Sequence, residues 1–356
     1  MKKRDIRIDY VRAIAVLMMI LQHVCIFLHR QNITVTYMSA ILIEVIMLIT
    51  KSAVPLFVII TGSVLLDEEK NFPLQKGIKL SWKMIKIIVV WNIISAIYFY
   101  FNDGLKTSLD KLIYGNYWYL YMLVALYLLM PIVNLMTKNY KITKIPVYII
   151  ALTLIYEFWL SYSLVIPGEF YGYASRLVNK LQLSLITGYT GFLLLGFIIK
   201  NDCSNINLDS IKAKIITLSI TILMLGLLIY AIFIAVKDNE YNYIYFDEFT
   251  AFLIGGIVFY IFQKLKIPVL KTKNIHRSLV CWCLNCLGGA LLFIGTHSLG
   301  MYVVSNLFLD ICKRISISIE IFPNIIIGII ICWLMIIIPS FIIVWLLSKT
   351  PLNKII

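Results

Sequence analysis

Long apolar runs alternate with short charged breaks along the whole chain and divide it into ten segments of bilayer-crossing length. They are residues 10–29, 38–66, 79–101, 117–135, 145–161, 183–199, 213–235, 244–263, 287–309 and 322–347. The pattern predicts an all-α polytopic membrane protein, a bundle of about ten transmembrane helices. The second segment is long for one crossing, and Pro55 with the adjacent Lys51-Ser52 predicts a kink or break inside it. No low-complexity tract, long linker or internal repeat interrupts the series, so residues 1–356 read as a single transmembrane domain.

Hydrophobic residues make up 61% of the 356 and charged residues only 14%, values that exclude an ordinary soluble domain. A net charge of +14 raises the question of a nucleic-acid partner, but no loop is long enough for a folded basic domain, so none is expected. The basic residues set orientation instead. With the N-terminus (Lys2, Lys3, Arg4, Arg7) in the cytoplasm, 22 of the 32 Lys and Arg fall on inner segments and 8 on outer loops, while Arg12 and Lys51 lie within spans. Both termini are therefore expected on the cytoplasmic side of a cell membrane. MKKR before an apolar run is signal-peptide-like, yet no small-residue cleavage site follows, and an uncleaved first helix is expected. Seven cysteines, mostly in spans or on the inner side, give no disulfide framework.

Against this background the first segment, RIDYVRAIAVLMMILQHV (7–24), carries three polar groups that hydrocarbon does not welcome. At 100° per residue Asp9, Arg12 and His23 fall in one stripe about 60° wide, with His23 about 16 Å further along the helix than Arg12. Such residues face protein or water and mark function more often than not, although Asp9 and Arg12 at the membrane boundary and a satisfied bundle histidine would also account for them. Lys51 and Glu44, seven residues apart on the second segment, form a second polar pair; the plain alternative is a buried Glu–Lys ion pair. Towards the outer side lie Trp118, Tyr119, Glu157, Asp247 and Glu248, aromatic rings and carboxylates suited to a sugar's C–H face and hydroxyls. His297 is a rival base.

Several of these residues also carry a resemblance. Arg12 and His23 match the R-x10-H pattern of the membrane acyltransferase 3 family. VPLFVIITG (54–62), NYWYLYMLVALYLLMPIV (116–133), HSLGMYVV (297–304) and the closing KTPLNKII resemble further family segments, in order, over nearly the whole chain. Lys51 stands where members often carry Arg, and Asn306 where many have His, so no proton-transfer role is carried onto that position. The likeness is to compact members that O-acetylate envelope or lipid-linked sugars, without an appended extracytoplasmic domain.

The resemblance implies acetyl-CoA as acyl donor from the cytoplasm and a sugar or lipid-linked glycan as acceptor. Arg12 and Lys51 would hold the cofactor, since guanidinium and ammonium groups suit phosphates. His23, expected neutral away from water, would act as general base on the attacking hydroxyl or carry a transient acetyl group, with Asp9 orienting Arg12. Glu44, Trp118, Tyr119 and Glu157 are the expected acceptor contacts.

Other signals weigh little. CWCLNC (281–286) with His276 could ligate zinc, but no second C-x-x-C pair exists and no metal is expected. Gly255-Gly256 and Gly288-Gly289 are expected at close helix contacts, and Trp82, Trp91, Tyr98, Tyr100, Trp118 and Trp345 at the membrane interfaces. The main competing function is a transporter or flippase for a lipid-linked sugar or small solute, which would also place polar groups at mid-membrane; a catalytically dead receptor is the third.

Overall fold

The computed structural model describes residues 5–29, 37–113, 117–163, 187–202, 248–264, 279–314 and 325–351, together with Lys180, Gly226 and Asn353. The regular structure among the described residues is helix, with no strand. The segment 213–235, one of the ten, lies outside the described residues except for Gly226. We number the helices α1 (Ile6–His29), α2 (Tyr37–Thr50), α3 (Ala53–Leu65), α4 (Leu74–Ile113), α5 (Trp118–Met136), α6 (Tyr140–Thr143), α7 (Ile145–Ser163), α8 (Tyr189–Asn201), α9 (Glu248–Lys264), α10 (Leu279–Thr296), α11 (Ser298–Arg314) and α12 (Ile325–Ser348).

Among the described residues, four helical stretches are long and apolar enough to cross a membrane: Ile6–Phe27, Leu42–Leu65, Leu74–Met136 and Ile326–Ser348. The third holds both α4 and α5, and α10 with α11 makes a fifth if that broken pair is one span. Shorter apolar helices lie at Ile145–Trp159, Tyr189–Asn201 and Phe249–Lys264. With several apolar helices of this kind, the chain is a multi-pass membrane protein that is helical in its described residues.

Three expected spans are not straight helices. The run 38–66 is α2 followed by α3, broken at Lys51-Ser52 as Pro55 foretells. A proline ring clashes with the carbonyl four residues back, here that of Lys51, yet is tolerated in a first helical turn, where Pro55 sits in α3. The run 287–309 is broken at His297 into α10 and α11. Finally, α4 overruns its expected end and turns at Gly104, whose φ of 82° suits glycine. Residues 105–113, expected as loop, are helical and fold back along α4: Ser108 Oγ donates to the Ala96 carbonyl at 2.8 Å, and Asn92 Nδ2 to that of Leu112 at 3.3 Å.

The helices group into two compact units. One comprises residues 1–65 and 139–296, the other 66–138 and 297–356. At the centre of the first unit α3 packs closely on α8. A Cβ on Gly62 would strike the Leu193 carbonyl, and one on Gly196 that of Ile59, so only hydrogen allows this approach. Lys200 Nζ donates to the Ser63 carbonyl at 2.5 Å beside the same contact. Gly255 and Gly256 face Ile59 and Leu195 closely, as expected, whereas a Cβ on Gly289 would meet open space; that glycine does not make a close helix contact.

In the second unit, Asn134 ties the connection before α4 to the end of α5. It accepts from the Asp67 N–H at 3.0 Å and donates to the Lys70 carbonyl at 2.9 Å, while Lys138 Nζ donates to the Glu68 carbonyl at 2.7 Å. The opposite end of α4 is closed by an Asp103–Arg314 ion pair, with the guanidinium over the Tyr98 and Phe99 rings. Trp82, Tyr100, Trp118 and Trp345 are exposed in keeping with interface positions, but Trp91 is buried and is therefore a packing residue, not an anchor.

Candidate functional site

The site begins on α1, which is apolar on nearly every side yet keeps Asp9, Arg12 and His23 on one face. Val16 and Met19 occupy that same face between them, and both are buried. The face therefore looks into protein along the length that separates the two cationic-capable groups, about 16 Å at 1.5 Å per residue.

Asp9 is only 3% exposed, and Arg12 Nη1 lies 3.6 Å from its Oδ1. This ion pair is longer than a hydrogen bond, so the guanidinium spends little of its donor capacity on it. Arg12 keeps about a third of its side chain accessible, which leaves the fork open to an anion. A Cβ on Gly295 would strike the Asp9 carbonyl, so the end of α10 presses on α1 where the stripe starts. Nothing in the apolar pattern around Gly295 announces that contact.

Just ahead of the span, Arg7 clamps Asp5 through Nε at 3.0 Å and Nη2 at 2.8 Å, and donates to the Gln263 carbonyl at 2.6 Å. The bidentate hydrogen bonds hold the Asp5 carboxyl below its ordinary range, so it is ionised at neutral pH.

At the other end of the stripe, His23 Nδ1 lies 3.0 Å from the Met19 carbonyl oxygen. A carbonyl only accepts, so Nδ1 carries the proton and, in the neutral ring, Nε2 holds the lone pair. The backbone thereby selects the tautomer that puts a base at the ring's far nitrogen.

Glu44 lies on α2, near enough to Cys25 of α1 for an electrostatic interaction, and so near the level of His23. It is 1% exposed, and among the described residues neither carboxyl oxygen has a hydrogen-bond partner. The alternative of a buried Glu44–Lys51 ion pair is not found: the two are separated by about 10 Å of helical rise. Lys51 is itself buried at the α2–α3 break, where its N–H still bonds the Met47 carbonyl at 2.9 Å.

Glu157 is buried on α7, one turn beyond Thr153, and Thr153 packs against Gly191 of α8. Neighbouring Phe158 meets Phe249 of α9 edge-on, with ring centroids 5.2 Å apart. Among the other expected residues, Asp247 and His276 lie outside the described residues, as do the side chains of Glu248, Cys281 and Cys283. His297 sits at the α10–α11 break, where its backbone carbonyl accepts from the Met301 N–H at 2.9 Å.

Trp118 and Tyr119 belong to the second unit, where they open α5. Trp118 is half exposed, while Tyr119 is buried with its ring edge-on to Tyr302 at 5.5 Å. Tyr302 also meets Tyr117 at 6.2 Å, and Ser95 Oγ lies 3.0 Å from the Tyr117 hydroxyl. The partnership of Tyr117 and Tyr302 with Tyr119 was not foreseen; HSLGMYVV contains Tyr302, but nothing in it indicates what the ring touches.

A family model described as an acyltransferase domain matches residues 5–348. No curated protein and no solved structure matches the chain.

Proposed function

The chain belongs to the acyltransferase 3 family, and from that premise we propose that it moves an acetyl group from acetyl-CoA to a hydroxyl of an envelope polysaccharide or lipid-linked sugar. The single observation that carries this reading is the buried face of α1, with an under-used guanidinium at one end and an imidazole of fixed tautomer at the other.

In this account Arg12 holds the anionic nucleotide end of the donor, with Lys51 as a second cation. The slender pantetheine arm spans the distance from Arg12 and brings the thioester to His23. There Nε2 takes the proton of the acceptor hydroxyl as its oxygen attacks the thioester carbonyl. A C–O bond forms, the C–S bond breaks, and the imidazolium returns the proton to the departing thiolate. Asp9 orients Arg12. Glu44, whose oxygens have no hydrogen-bond partner among the described residues, accepts further acceptor hydroxyls, with Glu157 as a further contact. The ten-span topology, with both termini in the cytoplasm of a cell-membrane protein, belongs to the same proposal and puts Arg12 on the side where acetyl-CoA is made.

Membranes carrying the protein should transfer labelled acetyl from acetyl-CoA into a glycan. His23→Ala should cut transfer by about 10²–10⁴-fold at unchanged protein level, the usual worth of a general base. Unchanged transfer in His23→Ala would overturn the assignment, and solute movement without labelling would favour the transporter.

A further inference from the structure

The turn at Gly104 creates a feature that acyl transfer does not use. Where residues 105–113 fold back on α4 and meet α5, they enclose a cavity of about 410 Å³, within the range of small-molecule sites. Its wall is apolar, with Ile85, Ile88 and Val124 inside and Val89, Ile93 and Ile113 at the exposed rim. The rim side chains Val89, Ile93 and Ile113 are apolar and exposed, a surface suited to hydrocarbon.

The polar exceptions are Asn92 and Tyr121. Asn92 is 3% exposed, and its Nδ2 donates to the Leu112 carbonyl at 3.3 Å and to the Tyr121 hydroxyl oxygen at 3.1 Å. Its Oδ1 is buried with no donor, a state that costs about 1–3 kcal/mol in a folded protein. Tyr121, receiving the amide proton on its oxygen, keeps its own O–H to give. Asn92 and Tyr121 thus bring one acceptor and one donor to the lining of an otherwise apolar slot.

We propose that this slot binds a membrane amphiphile bearing a hydroxyl group. One hydroxyl answers both polar groups, donating to Asn92 Oδ1 and accepting from Tyr121, while the hydrocarbon chain lies along Val89, Ile93 and Ile113. A pure alkyl chain would leave Asn92 Oδ1 unanswered, and an anionic headgroup would supply no proton for it. The slot is built by the second unit alone and does not depend on the acyl-transfer reading.

The test uses the full chain in lipid nanodiscs of phosphatidylethanolamine and phosphatidylglycerol, with a hexadecanol analogue carrying a mid-chain diazirine. After photolysis, label should concentrate in the peptides containing residues 85–93 and 112–124. Unlabelled hexadecanol should displace it, and the methyl ether of the same chain should not. Val89→Trp, which fills the slot from its rim, and Tyr121→Phe, which removes one of the two hydrogen bonds, should each lower labelling by about fivefold or more. Asn92→Leu should do the same, and if it elutes as aggregate the first two variants decide. Label spread evenly over lipid-facing helices, equal displacement by the ether, or labelling unchanged in Val89→Trp and Tyr121→Phe would overturn the proposal.

Discussion

Buried polar side chains are where this sequence spends stability, and each has a different cause. Asp9 is offset by Arg12, and the part-buried His23 by the Met19 carbonyl, so both are tolerated. Glu44 has no such offset. Replacing it with leucine should therefore stabilise the protein by about 1–3 kcal/mol, since an unsatisfied buried group is removed. The same change should lower acyl transfer. Thermal unfolding in detergent and the labelled-acetyl assay, read on one preparation, check both; a Glu44→Leu protein that is less stable, or fully active, contradicts the account. The stripe itself was readable from spacing, because polar residues that recur at helical period in an apolar run must share one face of the helix. The solitude of Glu44 was not, since spacing within one helix says nothing about the helices opposite.

At the scale of elements, hydropathy located helices well and bends poorly. The α2–α3 break was legible because a proline marks it, and proline acts through its own ring. The turn at Gly104 is marked by Asn102-Asp103 before it, where the span 79–101 ends, whereas the break at His297 carries no comparable mark. Glycine packing was half legible for the same reason. Gly255 and Gly256 meet their neighbours closely, Gly289 meets nothing, and only the tertiary arrangement distinguishes them. The α3–α8 contact gives a clean test. Gly196→Val should destabilise by about 3 kcal/mol or more, because the added carbons meet the rigid Ile59 backbone, whereas Gly289→Ala should change stability by less than about 0.5 kcal/mol. Comparable melting temperatures for the two variants would show that the close approach is not required.

The molecule as a whole is a multi-pass helical protein whose family is now plain, and the basic residues supply a side-by-side map of its connections. Within the second unit Asp103 pairs with Arg314, and Asp67, Lys70 and Lys138 gather around Asn134. Orientation follows as a prediction. Cysteines introduced at Glu68 and Lys349 should react with a membrane-impermeant maleimide only from the cytoplasmic side, and those at Lys106 and Lys313 only from outside. Reaction of all four from one side would overturn the ten-span parity. Composition and charge made this level the most legible of the three, because a bilayer constrains sequence along its whole length, whereas an acceptor sugar constrains only a few side chains.

The central claim, that one face of α1 measures the distance between a phosphate anchor and a base, is tested most directly by shortening the donor. Kinetics are compared for acetyl-CoA and for acetyl-pantetheine, which carries the thioester but lacks the nucleotide. Arg12→Gln should raise KM about tenfold for acetyl-CoA, the worth of a charge-assisted contact, and leave acetyl-pantetheine unaffected. His23→Ala should lower kcat by about 10²–10⁴-fold for both donors. If Arg12→Gln impairs the two donors equally, or His23→Ala spares turnover, the stripe does not join an anchor to a base.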